Sequence, residues 1–227
     1  MKRRHIHIDN KAKCKMTVIY GDCRNSLIAY VFNSFPLALK QHCIKVGTVA
    51  GLMAERIPDK DIPDGLTREE YVCAVRYGGF YHDIGVYLAC NDYEKYPAMG
   101  HKFLSEQISD TFSPMLMRQL ILDIVIDYQK RGDSGDFIMP HAGICSVADC
   151  LDMHIAPSKG ILRGTFNGGV KMIRENIGKI FTLEAAKCFE MAEENIFNLY
   201  QKWKTTPPYW RISDLNPFQE LHSQIVG

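Results

Sequence analysis

An apolar stripe with helical spacing constrains the fold of this chain most. Between positions 39 and 57, apolar side chains recur at alternating intervals of four and three residues: Leu39, Cys43, Val46, Ala50, Met53 and Ile57. These intervals place the side chains on one face of an α-helix. Pro58 follows the stripe and predicts its end, because proline cannot continue a helix. A helix with one such apolar face has to bury it against other elements.

The rest of the chain shows further helix signals. Thr67 and Glu70 have the spacing of a capping box and predict a helix that runs towards His82. Apolar positions with helical spacing predict helices over 117–128 and 144–155. A longer helix is predicted from about 182 to 203.

Prolines follow Tyr96 and Ser113, and proline suits the first turn of a helix. Residues 16–32 fit either a strand or a helix. We therefore predict an all-α helical bundle over residues 35–204. Residues 1–34 are predicted to form a short N-terminal extension, and residues 205–227 a C-terminal tail.

Composition narrows the classes of protein. The formal net charge is +1 over 227 residues, with 46% hydrophobic residues, so we expect a folded protein without a surface for DNA or RNA. No apolar run has the length of a membrane span or of a signal peptide, which favours a cytoplasmic location. None of the eight cysteines forms a C-x-x-C pair. We expect reduced thiols, with neither disulfides nor a thiolate zinc site.

Four residues on three predicted helices could hold a metal ion. His42 lies at the edge of the apolar stripe, His82 and Asp83 end the next helix, and Asp149 follows the core position Ala148. Two imidazoles and two carboxylates suit one divalent ion of iron, manganese, zinc or magnesium. Such an ion acidifies bound water into a nucleophile for phosphate esters. The alternative is that each histidine is an ordinary core or surface residue.

These motifs resemble a known family. His42 before an amphipathic helix, His-Asp-Ile-Gly at 82–85 and Ala-Asp-x-x-Asp at 148–152 resemble the HD superfamily of metal-dependent phosphohydrolases. Segments 96–106, 127–140 and 144–153 resemble its HD-GYP branch, the cyclic di-GMP phosphodiesterases. The resemblance spans roughly residues 35–190. It implies an HD-domain helical bundle whose metal ligands are His42, His82, Asp83 and Asp149.

The chain also departs from the HD-GYP pattern. Tyr96, Asp127 and Tyr128 stand where that branch has histidines, and Gly-Asp-Phe at 135–137 replaces Gly-Tyr-Pro. The resemblance therefore implies one metal ion without the second. Asp127 could add one oxygen ligand, or it could pair with Lys130 or Arg131 at a helix end. The other histidines are predicted to lie on the surface or in the N-terminal arm, namely His5, His7, His101, His141 and His154.

Three functions remain open. The first is a single-metal phosphohydrolase of a phosphomonoester or nucleotide, in which Asp83 is catalytic and orients the metal-bound water. Lys159 and Arg163 could then contact the phosphate, although basic loop residues are usually only solvated. The second is a non-catalytic, HD-GYP-like module that binds a nucleotide or a protein partner. The third is a cyclic di-GMP phosphodiesterase, which the missing histidines disfavour. The sequence leaves the metal, the substrate and the oligomeric state open.

Overall fold

The protein is an α-helical bundle. The computed structural model describes residues 31–32, 34–89, 95–108, 115–130, 138–155, 164–206 and 208. Its helices are α1 (Leu37–Ala54), α2 (Arg68–Tyr81), α3 (Ile84–Leu88), α4 (Tyr96–Gln107), α5 (Met115–Asp127), α6 (Pro140–Ile155), α7 (Phe166–Glu175) and α8 (Leu183–Thr205), with a 3-10 turn at Asp59–Asp61. Over these described ranges there is no strand beyond one isolated bridge, so the predicted all-α class is confirmed.

Two predicted helix starts are confirmed by their caps. The Thr67 backbone N–H donates to Glu70 Oε2 at 3.0 Å, and the Glu70 N–H donates to Thr67 Oγ1 at 3.2 Å. Thr182 Oγ1 accepts a hydrogen bond from the Ala185 N–H at the start of α8. Helix α1 ends at Ala54, before the predicted stop at Pro58. The chain turns after Ala54, yet Ile57 is still buried.

Helix α1 lies at the centre of the bundle. It packs against α2, α6 and α8, while α2 also packs against α5, and α4 packs against α3 and α5. The predicted stripe on α1 is buried, with Cys43, Val46, Ala50 and Met53 all at 0% exposure. Burial of that stripe from three sides is the main apolar contribution to this part of the core.

Adjacent glycines on α2 allow two other helices to approach it closely. A Cβ atom on Gly79 would lie 2.7 Å from Gly47 Cα on α1, so no larger residue fits at this crossing. A Cβ atom on Gly78 would overlap Ile124 on α5. The two glycines therefore bring the backbone of α1 and the Ile124 side chain of α5 close to the end of α2, next to His82.

Three observations differ from the sequence predictions. Cys73 is disulfide-bonded, with its partner outside the described residues. The prediction of no disulfide was wrong because the sequence does not show which cysteines meet in space. His141, predicted on the surface, is 2% exposed because its side chain packs between α5 and α6 near Asp123. Helix α7 was not predicted.

No helix among the described residues is long and apolar enough to cross a membrane. Among the described residues, Cys43, Cys145 and Cys188 are free thiols.

Candidate metal centre

The four predicted ligands meet where α1, α2 and α6 come together. His42 lies on α1, and Asp149 lies on α6, which packs across α1. His82 is the C-cap residue that follows α2, and Asp83 is the residue that precedes α3. Because Gly79 contacts Gly47, the end of α2 is held next to the middle of α1, one to two turns from His42.

The donor atoms of these residues face one another. His42 Nε2 lies 3.1 Å from Asp149 Oδ1 and 3.7 Å from Asp83 Oδ2. His82 Nε2 lies 3.4 Å from Asp83 Oδ2 and 3.7 Å from Asp149 Oδ1. Two ligands bound about 2.1 Å from one ion are separated by about 3.0 Å at a right angle and about 3.4 Å at a tetrahedral angle. The separations of 3.1 and 3.4 Å match these values and the two of 3.7 Å are slightly wider, while His42, His82 and Asp149, without Asp83, form the set whose donors all lie within 4.8 Å of one another.

The orientation of His82 supplies an independent test of this fit. Its Nδ1–H donates to the Gly79 carbonyl oxygen at 2.7 Å, which leaves Nε2 as the ring nitrogen that faces the cluster. Nε2 is buried without a hydrogen-bond partner, in a side chain that is 0% exposed. A buried ring nitrogen without a hydrogen bond beside two carboxylate oxygens is unfavourable, and a cation bound among these atoms would satisfy all of them. The donor set therefore fits a divalent metal ion.

His42 shows the same preference for positive charge. Burial alone would lower its pKa, but hydrogen bonds with Asp149 and Asp152 outweigh that effect and raise the pKa of His42 to about 10. In metal-free protein at neutral pH, the ring is therefore an imidazolium. A divalent ion supplies positive charge to the same carboxylates and displaces the Nε2 proton.

Sequence reasoning missed the residue that contacts the far side of His42. Asp152 Oδ2 lies 2.9 Å from His42 Nδ1, and the Asp152 side chain is only 1% exposed. Its other oxygen, Oδ1, accepts a hydrogen bond from Tyr200 at 2.9 Å and lies 3.3 Å from Lys45 Nζ. The available signal was spacing, because Asp152 follows Asp149 by three residues on α6 and Lys45 follows His42 by three on α1.

Asp83 is held by a tyrosine. The Tyr128 hydroxyl donates to Asp83 Oδ1 at 2.7 Å and accepts a hydrogen bond from Gln129 at 2.8 Å. Burial, and then the charge of Asp83, raise the pKa of Tyr128, so its phenol stays a neutral donor. The Tyr128 ring also packs edge-on against His82, with centroids 4.8 Å apart. Oδ2 of Asp83 is left facing the two histidines.

The remaining candidate residues are not part of this cluster as described. Asp127 Oδ1 contacts Lys130 Nζ at 2.8 Å, the pairing that the sequence left as an alternative. Whether Asp127 also binds a metal stays a prediction. Lys159 and Arg163, the predicted phosphate contacts, lie outside the described residues.

Comparison with known proteins does not assign a family. No protein-family model matches the chain, and no curated protein matches it significantly. The centre itself has the composition of a mixed nitrogen–oxygen metal site, in which His42, His82 and Asp149 offer donors within 4.8 Å of one another. The assignment to the HD superfamily is therefore a proposal that rests on the residues and their arrangement.

Proposed function

We propose that this chain is a metal-dependent phosphohydrolase of the HD superfamily that uses one divalent ion. The observation that supports this most directly is the enclosed Nε2 of His82, which has no hydrogen-bond partner and faces two carboxylates and a second imidazole. Leaving a buried polar atom unpaired costs about 1–3 kcal/mol, and what separates His82 from an ordinary buried histidine is that several donor atoms are directed at the same point.

In this proposal each ligand would bind the ion through one atom. His42 and His82 would bind it through Nε2, Asp149 through Oδ1 and Asp83 through Oδ2. A divalent ion held there would supply Lewis-acid chemistry, which lowers the pKa of bound water and polarises a phosphoryl oxygen. Asp83 orients the attacking water and accepts its proton, while the Tyr128 hydrogen bond fixes the plane of its carboxylate. Burial of the centre on three helices limits the access of bulk water.

The proposed substrate is a phosphomonoester or nucleotide with a good leaving group. A single ion cannot stabilise both the attacking and leaving oxygens of a diester as a metal pair does. The side chains at the HD-GYP histidine positions have other partners, since Tyr128 donates to Asp83 and Asp127 pairs with Lys130. We therefore expect hydrolysis of cyclic di-GMP to be absent or very slow.

The experiment is a hydrolysis screen on purified, metal-verified protein. Nucleotides, generic phosphomonoesters and cyclic di-GMP are incubated with manganese, iron, magnesium or zinc. Asp83→Asn should abolish activity, because the change weakens metal binding and removes the proton acceptor. Asp123→Asn is the matched control, since Asp123 also lies near a buried histidine but has no described contact with the four ligands. Activity that survives both chelation and Asp83→Asn would refute the proposal.

One observation favours a second candidate, a non-catalytic module that binds a nucleotide or a protein. Oδ1 of Asp83 already accepts the Tyr128 hydroxyl, which leaves this carboxylate less free to take a proton. If the metal is present and the whole panel is inert, calorimetric titration with nucleotides tests this candidate. Binding without turnover would support it over the phosphohydrolase.

A further inference from the structure

We propose that Asp152 is a positioning residue of the metal centre, which holds the imidazole of His42 so that Nε2 faces the ion. It contacts His42 on the side away from the other ligands, at 2.9 Å between Oδ2 and Nδ1. The inference deepens the proposed function and rests on its metal centre.

The contact determines the tautomer and the direction of the ring. A carboxylate can only accept, so the hydrogen between these two atoms belongs to His42 Nδ1. When an ion is bound, Nε2 is therefore the nitrogen with the free lone pair, and it faces Asp149 Oδ1 at 3.1 Å. A carboxylate on the distal nitrogen also makes an imidazole a stronger metal ligand.

Asp152 is itself held in place from two other helices. Lys45 on α1 lies 3.3 Å from its Oδ1, and the Tyr200 hydroxyl on α8 donates to the same oxygen at 2.9 Å. The residue is 0% exposed, and a buried carboxylate without such partners would be strongly unfavourable. These contacts keep it ionised and aimed at His42.

The network connects the C-terminal helix to the metal centre. Tyr200 lies near the end of α8, whose packing against α1 and α6 brings its hydroxyl to Asp152. Metal affinity should therefore depend on Tyr200, a residue that contacts none of the four ligands directly and acts through Asp152.

The test measures the dissociation constants of Zn²⁺ and Mn²⁺ by competition with a chromophoric chelator. Asp152→Asn should weaken binding by about 10-fold to 100-fold, the usual effect of losing a partner of a ligating histidine. Tyr200→Phe, which removes only one hydrogen bond, should weaken it by about 2-fold to 10-fold. Asp123→Asn, the control, should bind like the unmodified chain. Thermal unfolding of each metal-free variant reports any loss of fold.

The outcomes separate this inference from the proposed function. If the unmodified chain binds neither ion, the metal centre is wrong and the positioning role falls with it. If it binds, and Asp152→Asn lowers the metal-free unfolding temperature without changing either dissociation constant, Asp152 is only structural. Should Asp152→Asn fail to fold, Tyr200→Phe decides, and unchanged metal affinity in that variant overturns the inference.

Discussion

Two buried histidines, His82 and His141, share one feature and differ in the rest of their surroundings. In both, Nε2 is enclosed and makes no hydrogen bond. Near His141 there is one described carboxylate, that of Asp123, whose side chain is 28% exposed. Its Oδ2 lies 3.7 Å from His141 Nε2. Near His82 there are two carboxylates and a second imidazole, contributed by three helices. Burial of a histidine beside an acid is thus not enough to indicate a metal centre, whereas several donors directed at one point are.

The largest expected effect comes from removing each histidine in turn. Loss of a hydrogen-bond partner of a ligand lowers metal affinity by roughly 10-fold to 100-fold. His82→Ala removes a ligand itself, so it should lower metal affinity by more than that. His141→Ala should leave the metal content unchanged and reduce only stability. Elemental analysis of the purified variants measures the difference. Equal metal loss in both variants would remove the distinction between the two sites.

A second expected effect is the pH dependence of the metal-free protein. The pKa of His42 is raised from 6.5 to about 10 in the folded state, so the folded protein binds this proton more tightly than the unfolded chain. The resulting stability is fully present below about pH 6.5 and is lost as the pH rises towards 10. The slope should not exceed about 1.4 kcal/mol per pH unit.

Denaturant titrations in the presence of a chelator measure this slope. His42→Gln should flatten it, while His141→Gln should retain it because His42 is still present. A slope that persists in His42→Gln would mean that another group titrates.

A smaller effect is expected at the glycine crossing of α1 and α2. Gly79→Ala places a Cβ atom 2.7 Å from Gly47 Cα, and such overpacking costs about 1–3 kcal/mol. It should also reduce metal affinity, because the two histidines move apart. Gly143→Ala is the control on α6, where the nearest atom would be a side-chain oxygen at 3.0 Å. Chemical denaturation and metal titration of both variants provide the comparison, and equal losses would contradict this role of Gly79.

The smallest effect is expected at Asp127, the carboxylate that the sequence left open as a ligand. Asp127→Asn removes its ion pair with Lys130, and pairs this open to solvent are worth about 0.2–1 kcal/mol. Metal content should not change. A measurable drop in metal content would place Asp127 in the centre and reopen a second metal position.

Much of the fold could be predicted because its signals are local. The capping box at Thr67, the start of α8 at Thr182 and the stripe on α1 each depend on residues within a few turns of one another. The candidate ligands were also visible, since His82 and Asp83 are adjacent and Asp149 follows a core position. Their spacing already directed them towards a common interior from three predicted helices, and the resemblance then favoured a metal site over ordinary core or surface histidines.

The rest could not be predicted because it depends on contacts between distant residues. Nothing near Asp152 in the sequence indicates that Tyr200 would donate to it from α8. His141 was predicted on the surface. It is buried because α6 packs beside Asp123 of α5, a contact that its neighbours in the sequence do not indicate. The disulfide at Cys73 likewise depends on a pairing that spacing does not reveal.

The contact between Gly47 and Gly79 has a consequence for ion size. Since the two backbones already touch, the helices that carry His42 and His82 cannot move closer, and side-chain repacking cannot adjust their separation. The distances from the ligands to a bound ion are therefore nearly fixed. Zn²⁺ and Mg²⁺ bind at about 2.0–2.1 Å, whereas Ca²⁺ requires about 2.3–2.6 Å and more ligands. We therefore expect Ca²⁺ to compete poorly for this centre. Gly79→Ala should spread the two helices and reduce the ratio of Zn²⁺ affinity to Ca²⁺ affinity in competition titrations.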